Sequence, residues 1–207
     1  MTERRLLDAQ RRRRQAAVAG HQGDETTPRR LLDDPDAAVR SAALGALQRL
    51  GAITAEDLTG GLRDAHPDVR RRTLELVATL RGQGASERVL IVPLLDDPDD
   101  TVVEVAAWAS GEREPAEPGA VARLSVLAQE ADDALVRESA VAALGSLGDP
   151  AGLPAILAGT RDKATVRRRA VIALAPFDGP EVEAALEAAL TDRDWQVRQS
   201  AEDLADH

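Results

Sequence analysis

The imidazoles stand at His21, His66 and His207, too scattered along the chain to suggest a metal site or a catalytic triad, and all three read as surface residues. Carboxylates are abundant and often adjacent, as in Asp33-Asp34, Asp96-Asp97 and Asp99-Asp100, a pairing suited to acid-base work or to calcium. The stretch DDPDD lacks the alternating ligands and the glycine of a calcium loop, whereas Asp beside Pro suits a helix start. With no cysteine in the chain there is no thiol nucleophile, disulfide or Cys-ligated metal. No glycine-rich phosphate loop is present. These residues predict no catalytic group, no metal and no cofactor, and the chain is not expected to be an enzyme. The other candidates are residues that grip rather than react: Arg71, Glu75, Glu104, Trp108, Glu138 and Arg168, with Trp108 as the anchor.

The elements that must position them repeat along the chain. VRSAALGALQRLG from Val39 returns as VRESAVAALGSLG from Val136, and the same valine recurs at Val69, Val102, Val166 and Val197, spaced by 30 to 34 residues. An arginine follows in every case except the third, where Val103 stands. Four residues after the valine come Ala43, Ala106, Ala140, Ala170 and Ala201, with Thr73 as the exception. Positions 0, 4, 8 and 11 share one side of a helix, so each phrase predicts an amphipathic helix with small residues in its buried stripe. Positions 2, 6 and 9 point away from that stripe, which selects the candidate residues.

Between the phrases lie shorter apolar runs from Thr54, Ser86, Pro118, Leu153 and Pro180, which predict a second helix for each unit. The hexapeptide LLDDPD opens two units, at Leu31 and at Leu94. Glycine- or proline-rich corners at 82–84, 114–119, 148–152 and 178–180 separate the units.

Composition agrees with helices packed closely. Hydrophobic residues make up 43% of the 207-residue chain, but the aromatics are one Phe and two Trp. The net charge of -10 disfavours nucleic acid and anionic membranes, and no long apolar run suggests a membrane span. A soluble cytoplasmic protein is expected. The head departs from the acidic body: Arg11 to Arg14 lie in an expected helix from about residue 2 to 19, whose Leu6, Leu7, Ala17 and Val18 would close the first repeat. A basic arm touching an acidic partner or nucleic acid is the alternative.

Helix pairs with L-x-D-x-x-x-x-V-R followed by A-x-x-A-L-G-x-L-G resemble HEAT repeats of the bacterial kind found in phycobilin lyases, over about residues 26–207 in six units. The resemblance implies an all-α fold, an α-solenoid of about six helix pairs, with residues 1–25 as a basic capping helix and loop. It implies that an aspartate near the arginine joins it in a ladder tying neighbouring units. The matching pairs are Asp34 with Arg40, Asp64 with Arg70 and Asp192 with Arg198, while Asp132 and Asp162 sit one residue closer and Asp97 faces Val103. The third unit is thereby expected to be the loosest joint. Trp195, at the entry to the last helix, is expected to cover the end of the stack.

In such solenoids the second helices line the concave face, which would hold a protein or peptide. Eleven acids between Asp96 and Asp133, against Arg113 and Arg123, would favour a partner with a basic segment. The alternative implied by resemblance is a HEAT-like alkylpurine DNA glycosylase, with Trp108 near Glu104 and Arg71, Arg72, Arg168 and Arg169 on phosphates. The chain lacks the aromatic lining and basic groove of those enzymes. A bilin lyase or chaperone is a third reading, resting on the repeat type alone. The oligomeric state is not legible.

Overall fold

Aspartates open several of the long helices of the computed structural model, which describes residues 2–80 and 84–205, with side chains from Leu6 onward. Of the corner expected at 82–84 and of His207, only Gly84 lies within the described residues. The helices are α1 (Thr2–Gln22), α2 (Thr26–Leu31), α3 (Ala37–Arg49), α4 (Ala55–Leu62), α5 (Pro67–Thr79), α6 (Asp100–Gly111), α7 (Ala120–Glu130), α8 (Ala134–Leu147), α9 (Leu153–Gly159), α10 (Ala164–Ala173), α11 (Pro180–Ala189) and α12 (Trp195–Ala205). Asp36, Asp99 and Asp133 accept the first free amides of α3, α6 and α8, and the ring nitrogen of His66 does the same for α5. Of the paired carboxylates, Asp99 works as a helix start, whereas Asp34 and Asp96 meet Arg12 and Arg123.

The chain forms two compact units, residues 1–90 and 91–207. In the first, α1 and α5 pack on α3, with α2 against α3 and α4 against α5. In the second, α6 and α10 pack on α8, α12 packs on α10, and α7, α9 and α11 form the outer layer. All six repeat valines are at most 2% exposed, and the alanines four residues later are equally enclosed. Thr73 takes the alanine place without an unmet hydroxyl, because its Oγ1 donates to the Val69 carbonyl at 2.7 Å. Ser110 solves the same problem on α6 by donating to Ala106 O at 2.8 Å.

Three expectations need correction. The run from Ser86 forms two short 3-10 turns, Ser86–Arg88 and Val92–Asp96, rather than a helix. Pro93 removes a donor from the second turn, and the Ile91 and Val92 amides instead donate to the Glu117 carboxylate at 2.9 and 3.2 Å. On α1 it is Ala9, Ala16 and Ala19 that are buried, while Leu6, Leu7 and Val18 are exposed. Close approach demands small residues there, since a Cβ on Gly20 would lie 3.0 Å from the Cα of Ala46. Trp195, expected to cover the end of the stack, is instead 65% exposed.

The ladder exists, but its register differs from the expected one. Arg40 donates Nε and Nη2 to the carboxylate of Asp64, both at 2.7 Å, and its Nη1 to the carbonyl of Asp34 at 2.8 Å. The fork thus crosses to the following helix pair, while the aspartate of its own pair offers only backbone. Arg137 repeats the fork on Asp162 at 2.6 and 3.0 Å, and Arg167 repeats it on Asp192 at 2.8 Å twice. Arg12 of the RRRR run adds a rung from α1 to Asp34 at 2.6 and 3.0 Å. Each carboxylate also accepts an amide of the turn behind it, as Asp192 does from Asp194 at 2.8 Å.

Those bonds act on the carboxylates. Hydrogen bonds from Arg137 and Arg167 hold Asp162 and Asp192 below the usual carboxylate range, against the opposing effect of burial. For Asp34 and Asp64 burial is the largest single influence and acts upward. The guanidiniums of Arg12 and Arg40 and the turn amides together outweigh it, and both carboxyls are lowered.

Candidate functional site

In the second unit α6 and α8 meet almost backbone to backbone, because a Cβ on Gly111 would fall 2.7 Å from the Cα of Ala143. The contact leaves a groove of about 450 Å³ along the face the two helices share. Glu104, Val105, Trp108 and Glu112 line it from α6, and Glu138, Ser139, Ala142 and Ser146 line it from α8. Successive steps of four, 104 to 108 to 112, keep one face of α6 turned to the groove. The α8 side is floored by small residues, so the indole of Trp108 stands clear of it at 43% exposure.

Three carboxylates, Glu104, Glu112 and Glu138, line the groove with the indole. Among the described residues that line the groove the one cation is Arg169 on α10, whose Nη2 lies 3.6 Å from Glu138 Oε1. The lining therefore pairs an apolar, electron-rich ring with a negative rim. Such a surface suits a cationic side chain carried on an extended backbone.

Of the predicted residues, the structure brings Glu104, Trp108 and Glu138 together in this groove. Arg168 is exposed and does not line it, its neighbour Arg169 taking that place. Arg71 and Glu75 sit on α5 in the first unit, where Arg71 lies 3.5 Å from Asp68 and Glu75 accepts from Arg72 at 2.7 Å. Position 6 is also uneven: Gly45 is buried, with the Arg72 guanidinium within 3.3 Å of where its Cβ would be.

Sequence reasoning missed Val105, Glu112, Ser139, Ser146 and Arg169 because it placed position 9 on the open face. Gly111 and Gly145 occupy that position and press against Ala143 and Ala173 of the next helix. Glycine at position 9 was the available signal, since it marks a close helix contact and moves the open face to positions 3 and 10. The acidic run from Asp96 to Asp133 is partly spent on structure. Glu117 is buried against backbone amides, Asp99 and Asp133 cap helices, and Asp96 pairs with Arg123 at 2.7 Å. A larger cleft of about 910 Å³ opens between α9 and α11, lined by Pro154, Leu157, Ala184 and Ala188 among others, and none of the predicted residues reaches it.

Paired helices with buried valines and crossing Arg-Asp forks define the repeat in three dimensions. The family model described as HEAT repeats matches the chain three times, over residues 55–145, 87–175 and 121–205. The chain belongs to the HEAT-repeat family. Its fold class is an all-α solenoid of helix pairs, and twelve described helices make about six of them. Among solved structures, this HEAT-repeat chain is similar to a designed armadillo repeat protein in complex with the peptide (KR)4, at 21% identity over 86% of this chain and 98% of that one, with a TM-score of 0.64. Computationally designed armadillo repeat proteins for modular peptide recognition match at 22% identity over 86% and 98% of the two chains, with a TM-score of 0.62. At these identities the likeness is one of fold. No curated protein matches the HEAT-repeat sequence. Among the described residues no helix is long and apolar enough to cross a membrane.

Proposed function

We propose that this HEAT-repeat chain is a non-catalytic binding scaffold, acting as an adaptor in the cytoplasm, that holds an extended protein or peptide segment with basic side chains in the α6–α8 groove. The observation that carries the reading is Trp108, exposed in a groove lined by Glu104, Glu112 and Glu138, with Arg169 as the one cation among the described residues that line it. A lysine or arginine of the ligand stacks on the indole while its neighbours meet the carboxylates. The (KR)4 complex of a structurally similar designed protein supports a ligand of this kind. The same carboxylates repel phosphate, which argues against duplex DNA in the groove.

The test uses the peptide (KR)4 and a Trp195→Phe variant, in which Trp108 is the remaining indole of the two in the chain. Saturable quenching of Trp108 is expected, with affinity falling as salt rises. Trp108→Ala, followed by calorimetry, is expected to weaken binding by about thirtyfold, the size of an interface hot spot. Equal affinity in Trp108→Ala, or preference for a polyacidic peptide, would sink the reading.

A further inference from the structure

The open face of α3 and α5 inverts the groove of α6 and α8 at matching places. Six residues after its repeat valine α6 carries Trp108, and ten after it Glu112, where α3 carries Gly45 and Arg49. Two and three residues after its valine α8 carries Glu138 and Ser139, where α5 carries Arg71 and Arg72. Ring and carboxylates on one pair of helices give way to bare backbone and guanidiniums on the other.

The guanidiniums converge on Gly45. A Cβ there would stand 3.3 Å from Arg72 Nη2 and 3.7 Å from Arg49 Nη1, so the two cations share one patch of backbone. Arg49 also reaches α1, its Nη2 lying 3.2 Å from the place of a Cβ on Gly20. Like charges held this close repel, and Arg72 has a counter-ion in the Glu75 carboxylate at 2.7 Å. Arg71, next along α5, lies 3.5 Å from Asp68. Among the described residues no carboxylate meets Arg49, which stands exposed in the last turn of α3. The helix dipole accounts for one cation in that turn, but not for a second brought to it from α5.

We propose that Arg49 and Arg72 form an anion site for a phosphate monoester on a protein partner, a segment carrying phosphoserine or phosphothreonine. A carboxylate satisfies one guanidinium fork. A phosphate monoester has three terminal oxygens and nearly two charges, enough to accept from both guanidiniums at once and to relieve their repulsion. Glu75 is the internal stand-in, holding Arg72 until the phosphate displaces it. The first unit contains no Phe, Trp or Tyr on which a base could stack, and the net charge of -10 opposes a long polyanion or an anionic membrane. The site differs from the α6–α8 groove in place and in sign, and it stands or falls separately.

The probes are a blocked alanine-rich peptide with one central phosphoserine and its serine and glutamate counterparts, titrated into the full chain and followed by calorimetry and phosphorus NMR. Saturable binding of the phosphopeptide is expected, about tenfold weaker for the glutamate peptide and for the phosphopeptide on Arg49→Gln. Glu75→Gln is expected to tighten the phosphopeptide by about threefold, because Arg72 loses its internal competitor. Equal responses to the serine and phosphoserine peptides, unchanged affinity in Arg49→Gln, or an affinity that Glu75→Gln leaves the same or lowers would each overturn the proposal. Should Arg49→Gln lose its helical circular dichroism, the peptide comparison on the parent protein and the sign of the Glu75→Gln effect still decide. Tighter binding of a thymidine octanucleotide than of the phosphopeptide would assign the patch to nucleic acid and overturn the protein partner.

Discussion

Two neighbouring joints in the second unit are built alike in one respect and oppositely in another. At both, a glycine of one helix presses on an alanine of the next: Gly111 on Ala143 between α6 and α8, and Gly145 on Ala173 between α8 and α10, each with a Cβ-to-Cα approach of 2.7 Å. The α8–α10 joint adds the Arg137–Asp162 fork, while the α6–α8 joint has the buried Val103 in the arginine's place. The joint without a fork was expected to be the loosest, yet its helices approach just as closely. Close packing and the charged ladder are therefore separable devices. The fork is missing at the joint whose open face carries Trp108.

The comparison breaks most sharply at the fork. Arg137→Ala leaves Asp162 partly enclosed without its partner and is expected to cost about 3 kcal/mol, read as a shift in the urea unfolding midpoint. Val103→Ala, at the same place in the forkless joint, is expected to cost less, about 1 to 2 kcal/mol, because methyl groups are lost and no charge is orphaned. Equal losses at the two positions would mean the fork contributes nothing beyond packing.

Gly145→Ala and Gly111→Ala sharpen the shared half of the comparison. Each inserts a Cβ where only a backbone shift makes room, so each is expected to destabilise by about 1 to 3 kcal/mol, and by similar amounts. A neutral Gly111→Ala would show that the forkless joint yields, as the sequence suggested.

Acid separates the two joints by sign. Asp162 has a lowered carboxyl pKa because of Arg137, so its stabilising contribution is complete above the unfolded value of about 3.9 and fades as pH falls through the lower folded value. Thermal melts of Arg137→Ala and of the parent are expected to differ at neutral pH and to converge in strong acid. A gap that persists unchanged below both carboxyl values would assign the loss to packing of the arginine stem instead.

The helix pairs were legible because burial imposes a period on the sequence: Val136, Ala140 and Leu144 must be apolar, and they are. The ladder was half legible. The resemblance implied Arg40 and Asp64 as rung residues, but which aspartate faces which arginine depends on how consecutive pairs stack, and no period encodes that. Glu117 was read as part of an acidic surface because its backbone partners at Ile91 and Val92 lie 26 and 25 residues away. Within the site, Trp108 and Glu138 followed from helix position alone. Arg169 displaced Arg168 because the glycine contact rotates α8 and α10 by about one position relative to the assumed open face.

The smallest expected effect is the most informative about function. Trp108 stands on a floor of small side chains and is not among the buried residues of the core, so Trp108→Ala is expected to change unfolding free energy by no more than about 0.5 kcal/mol. Val105, half-buried on α6, lines the same groove, and Val105→Ala is expected to cost about 1 kcal/mol. An exposed tryptophan whose removal leaves stability unchanged is retained for something other than the fold. If Trp108→Ala instead destabilises as much as Val105→Ala, the indole is a roof on the α6–α8 packing, and the groove loses its claim to a ligand.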